Sequence, residues 1–118
     1  MTIYDELKDL YDRCPSRSIS EDVMHYVQHG YVHIGPDFAL IGEQRGDGWF
    51  VHCAIGRLDK IIEHMPYHLP LVGWAREAHG RQEIEWHRTE TIKRLINYAR
   101  RSHAKFEVRP GLSTNVRC

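Results

Sequence analysis

Two apolar runs joined by a glycine-rich turn constrain this chain more than any other feature. The hairpin they suggest spans Asp37 to Ile55, with DFALIGEQ and WFVHCAI as its strands and Gly46, Asp47 and Gly48 between them. Asp-Gly supplies the positive-φ residues that a tight hairpin turn requires. On the second strand Trp49, Val51, Cys53 and Ile55 form one face, and Phe50, His52 and Ala54 the other. A strand apolar on both sides is one covered on both sides. The hairpin is therefore expected at the middle of a sheet, with the other elements packed around it. Strict alternation sends His52 and Cys53 to opposite faces, which rules out a Cys–His nucleophile pair.

The flanking segments read as helices and short strands. Ile3, Leu7, Leu10 and Tyr11 form a helical stripe that stops before Cys14-Pro15. A second helix is expected from Ser20, with Glu21 and Asp22 complementing its dipole, Ile19 and Met24 as a hydrophobic staple, and Gly30 as its stop. Tyr31 to Ile34 reads as a short strand. Leu58, Ile61, Ile62 and Met65 give a third helix ended by Pro66. Leu69 to Glu77 reads as a strand, and Glu83 to Arg88 alternates as a half-exposed strand near a sheet edge. Thr89 can cap a last helix carrying Ile92, Leu95, Ile96 and Ala99. The expectation is a single α+β domain over residues 1–101: about four helices and a mostly antiparallel sheet of about four or five strands. Residues 102–118 are expected to be a partly ordered tail.

Composition narrows the function classes. The 118 residues suit one domain, and 16 Lys and Arg balance 16 Asp and Glu. That balance argues against a dedicated nucleic-acid binder. The charge is nonetheless uneven, because residues 88–118 carry eight basic side chains against two acidic ones. Cys14, Cys53 and Cys118 are scattered and odd in number, poor material for a disulfide framework or a zinc site. No stretch has the length and apolarity of a membrane span, and the acidic amphipathic start is no signal peptide. A reducing cytosol is the expected compartment.

Histidine is the conspicuous excess, nine in all. His25 and His29 have the helical spacing that can converge on a metal, but no carboxylate or Cys stands beside them at ligand spacing. They are the only metal candidates, and no metal is expected. His52 reads as a hydrogen-bonded interior histidine or as a general base at a cleft. Walker, GxGxxG, GxSxG and HExxH motifs are missing, so nucleotide and common hydrolase chemistries lose their usual carriers. Arg45-Gly46-Asp47, an adhesion tripeptide by spelling, is turn chemistry. The residues that best suit a binding surface are Arg76, Trp86, His87 and Arg88, with Lys93 and Arg94 a turn into the following helix.

The stretch from Phe38 to Ile96 resembles small proteins of tailed phages and prophages. The resemblance rests on DFALIGEQ, DGWFVHCAIG, LPLVGWARE and a Trp-His-Arg strand before a final helix. Some such proteins resemble the GNAT acetyltransferase fold, whose enzymes bind the pyrophosphate of acetyl-CoA on a Gln/Arg-x-x-Gly-x-Gly/Ala loop at a helix start. This chain has no such loop, since Arg76 to Gly80 lacks the second glycine. The resemblance implies a non-enzymatic accessory protein that binds a protein of the bacterial host or of the phage particle. It would inhibit a host or defence factor, or serve virion assembly, in the host cytoplasm or the virion. The alternative it implies is a GNAT-like N-acetyltransferase using acetyl-CoA, with His52 or Glu43 as base and Tyr98 as acid. A weak nucleic-acid binder using the basic C-terminal third is the remaining reading.

Overall fold

A computed structural model of the chain describes residues 2–14, 17–66, 71–72, 74–77, 83–85, 97, 101 and 105–108. Helix α1 (Ile3–Asp12) opens with a reciprocal cap, in which the Thr2 side chain accepts from the Asp5 amide and the Asp5 side chain accepts from the Thr2 amide. It buries Ile3, Leu7, Leu10 and Tyr11, the stripe seen in the sequence. Helix α2 (Ile19–His29) is capped by Ser18, two residues before the expected start, and ends at Gly30. Because the start moves, Met24 turns to solvent and is 65% exposed, so the expected staple with Ile19 does not form.

Three antiparallel strands follow: β1 (Tyr31–Ile34), β2 (Phe38–Arg45) and β3 (Gly48–Arg57). The β2–β3 turn uses Gly46 at φ 57°, while Gly48 already belongs to β3. The positive-φ position thus falls one dipeptide earlier than Asp47-Gly48. Helix α3 (Leu58–His64) follows β3 directly and stops before Pro66. The expected strand at Leu69 to Glu77 is divided into β4 (Leu71–Val72) and β5 (Trp74–Glu77). β6 (Glu83–Glu85) lies at the sheet edge as its alternation implied. The expected final helix lies mostly outside the described residues, with Asn97 and Arg101 helical.

Among the described residues the sheet has seven strands, in the order β1-β2-β3-β7-β5-β6, with β4 also on β3. The fold is α+β, and all pairings except β3–β4 are antiparallel. β7 (Lys105–Val108) falls within the segment expected to be a partly ordered tail. It lies between β3 and β5, with Val108 buried, so the folded unit extends at least to residue 108. Arg13 at the end of α1 adds an ion pair to Glu107 on that strand at 2.8 Å.

The hairpin is covered on both sides, as expected. On one face α3 packs Leu58, Ile61 and Ile62 against Phe38, Leu40, Trp49, Val51 and Ala54. On the other, α1 and α2 pack Leu7, Leu10, Tyr11 and Tyr26 against Ala39, Ile41, Cys53 and Ile55. The face assignment changes partway along β3, and its cause is a bulge. Ile41 pairs with Cys53 but Gly42 pairs with Val51, so the register skips one residue of β3 at His52. One extra residue reverses the alternation beyond it. Cys53 and Ile55 therefore face α1 and α2, not the side of Trp49 and Val51.

Candidate functional site

His52 lies on the α1/α2 side with Phe50, as a buried polar residue that is 1% exposed. A buried imidazole needs partners, and the two helices supply them. Asp22, on the first turn of α2, places Oδ2 2.9 Å from His52 Nε2, and the Tyr11 hydroxyl from α1 lies 3.3 Å from the same nitrogen. A carboxylate can only accept, so His52 Nε2 and the Tyr11 hydroxyl both donate to Asp22. The Tyr26 ring lies against His52, with centroids 4.6 Å apart and planes at 33°.

Burial pushes the Asp22 carboxyl up, but the hydrogen bonds from His52 and Tyr11 outweigh it and hold the pKa below the ordinary carboxylate value. Asp22 is thus ionised at neutral pH although buried. Burial also raises the Tyr11 phenol, as do the nearby Cys53 and Asp22, so it stays a donor. Tyr26 is pushed up to about 12, chiefly by burial. Burial lifts the Cys53 thiol well above its usual value. The bulge does bring His52 and Cys53 to the same side of the sheet, against the alternation argument. Even so, a thiol held protonated is no nucleophile.

These residues form the wall of a cavity of about 350 Å³ between α2 and the hairpin. Arg17, Glu21, Asp22, His25 and Tyr26 line it from the α2 side, and Arg45, Phe50 and His52 from the hairpin. Arg45 is stacked on the Phe50 ring, its Cζ 3.9 Å from the centroid, and its Nε is 2.7 Å from Glu43 Oε1. The cavity is small and mixed in charge, at the lower end of the size range of small-molecule sites.

Of the sequence candidates, His52 stands in this site. Glu43 sits beside it on β2, bound to Arg45 and 3.6 Å from His25, and does not line the cavity. His25 and His29 stand ring against ring, centroids 5.0 Å apart. Among the described residues no three His, Cys, Asp or Glu side chains group to hold a metal ion. Arg76 lies on β5, paired with Glu83 and Glu107 across the sheet. Trp86, His87, Arg88, Lys93, Arg94 and Tyr98 lie outside the described residues.

Asp22 was missed, because an acid in the first turn of a helix already has a dipole explanation. The signal was available in its spacing. Ile19, Asp22, Val23 and Tyr26 fall at i, i+3, i+4 and i+7, so Asp22 lies on the inner stripe of α2. An acid on a buried stripe needs a buried donor. No family model matches the chain, and neither a curated protein nor a solved structure matches it. No helix among the described residues is long and apolar enough to cross a membrane.

Proposed function

We propose that this protein binds a small molecule in the cavity between α2 and the hairpin, and that His52 exchanges a proton with it. The observation that carries this reading is a buried imidazole hydrogen-bonded to a buried carboxylate at a cavity wall. Asp22 fixes the tautomer and stabilises the imidazolium that proton uptake creates. That is the role of an orienting acid beside a general base. The bulge lies directly beside His52, and bulges are over-represented next to active sites.

The acyltransferase reading shares this base but not its cofactor. At Arg57–Leu58 β3 passes straight into α3, with no intervening loop at that helix start. No step is therefore assigned to that cofactor, and a thermal-shift titration with acetyl-CoA is expected to leave the melting temperature unchanged. The small-molecule reading is tested by amide NMR against a panel of small amines, carboxylates and zwitterions. Shifts should gather on Asp22, Tyr26, Arg45, Phe50 and His52. Shifts scattered over the surface, or none across the panel, reject the site.

A second reading keeps the protein-binding role, with a partner from a bacterial host or a phage particle. The observation that favours it is apolar exposure near α2, where Met24 is 65% and Val27 64% exposed one turn apart. Ile34 on the edge strand β1 adds a further 40%-exposed side chain. If this face docks a partner, replacing Met24 and Val27 by Glu abolishes capture from a host lysate. Undiminished capture excludes the face.

A further inference from the structure

We infer that a second copy of this chain docks on the open edge of β1 and the outer side of α2, so that the two sheets run on as one. The inference rests on the protein-binding reading of this face and names its partner. β1 ends the sheet, and among the described residues no strand pairs with its outer side. The groups it offers follow from the ladder. The Gly35 amide donates to the Phe38 carbonyl at 2.9 Å, which makes Gly35 and Phe38 a hydrogen-bonded pair. Such pairs alternate along an antiparallel ladder, so His33–Leu40 and Tyr31–Gly42 are bonded in the same way. Val32 and Ile34 therefore aim their N–H and C=O groups away from β2. Two copies related by a two-fold axis at His33 set Val32 of one against Ile34 of the other. Each such pair can exchange both of its N–H···O bonds.

The helix favours a copy over a lone peptide. α2 packs over β1 and β2 alike. The axis stands perpendicular to the sheet, so both copies of α2 lie on one face of the joined sheet. Their axes then fall two strand spacings apart, about 9–10 Å, and helices in contact lie roughly 8–10 Å apart. Met24 and Val27 stand where that contact needs them. Asp22 faces α1 through Tyr11 and His52. At about 3.6 residues per turn, Met24 and Val27 lie roughly 140–160° round the helix from it. They are 65% and 64% exposed, and Ile34 is 40% exposed. The chain turns back at Gly30, so the last turns of α2 run beside β1. An extended peptide added to β1 would leave Met24 and Val27 in water, whereas a copy brings its own α2 to cover them. Charge agrees with this partner. β1 carries no Lys, Arg, Asp or Glu, and Glu21, Asp22 and His25 line the cavity on another side of α2. This face therefore opposes no like charges across the axis, and a charged partner finds nothing here to pair with.

A four-residue strand and one side of a helix fall short of the roughly 20–30 residues a side of a standard interface, so the dimer is small and transient, with a Kd between about 1 μM and 1 mM. Sedimentation equilibrium on the full chain across about that range should show the mass rise from one copy towards two. Amide exchange read by NMR at both ends of the range tests the register. Val32 and Ile34 should exchange more slowly as concentration rises, while Tyr31 and His33, already bonded to β2, should not change. Replacing Met24 and Val27 together by Glu puts like charges across the axis and should weaken association about tenfold or more. An unchanged melting temperature in dilute solution establishes that this variant is folded, and the exchange experiment needs no variant at all. A protein that stays a single copy throughout overturns the inference. Lysate capture that the same variant loses then keeps the protein-binding reading with a different partner, and undiminished capture removes that reading as well. A dimer that the double substitution leaves as tight, or in which Val32 and Ile34 exchange no more slowly, has its contact elsewhere and overturns the inference too.

Discussion

Replacing Asp22 by Asn tests the centre of the site without changing its shape. Asp22 accepts two hydrogen bonds, from His52 Nε2 at 2.9 Å and from the Tyr11 hydroxyl. Hydrogen bonds to a charged group contribute roughly 1.5–3 kcal/mol each, and the Asn carbonyl can restore about one neutral bond of roughly 0.5–1.5 kcal/mol. The expected loss at pH 7 is therefore about 2–5 kcal/mol, a large part of the roughly 5–15 kcal/mol typical of a domain. At about 4 °C per kcal/mol for a chain of this size, the melting temperature falls by roughly 8–20 °C. The pH dependence identifies the cause. The folded pKa of Asp22 is depressed, so its contribution is complete above the unfolded value near 3.9 and is lost as pH falls through the lower folded value. Urea unfolding of both proteins should show a constant gap from pH 7 down to about 5, narrowing below about 4. Other carboxylates titrate in both proteins and cancel in the difference. A variant as stable as the parent at pH 7 would refute the network. So would a gap that persists unchanged to pH 2, since a purely steric defect has no reason to titrate.

Three further outcomes are expected. Gly42→Ala should destabilise by about 1–3 kcal/mol or more in denaturant titration. Its Cβ would meet the Phe50 carbonyl oxygen at 2.5 Å and collide with the Trp49 ring opposite the bulge. Leu10→Ala, at a side chain 1% exposed in the α1/α2 core, should cost about 2–5 kcal/mol by the same measurement. Cys53, wholly buried with a raised thiol pKa, should be alkylated by iodoacetamide at neutral pH no faster than the protein unfolds, as mass spectrometry of time points will read.

Much of this fold was legible because its signals are local. The stripes of α1 and α3 lie within single helices, and the hairpin carries its own turn glycine. What escaped depends on distant residues. The bulge at His52 is set by which β2 residue pairs with which β3 residue, and alternation along one strand contains no such information. Gly42 was the available hint, since a glycine inside a strand often marks a bulge or a close approach. β7 escaped because it is only four residues long, in a basic segment just before Pro110-Gly111. His52 reads in the sequence as a hydrogen-bonded interior histidine or a general base, but its partners Tyr11 and Asp22 come from two helices that no spacing rule joins to residue 52.

The place of β7 governs when this protein can finish folding. Helices α1 and α2 and strands β1 to β3 form contacts among neighbours in the chain and can assemble as they leave the ribosome. The second half of β3 must wait, because Ala54 to Arg57 find their remaining edge partner only in residues 105–108. Pairings so distant in sequence are slow to form. Until they do, the end of β3 presents an open edge that can pair with another nascent chain. Synthesis therefore leaves this protein vulnerable to association at the very strand that carries its central histidine.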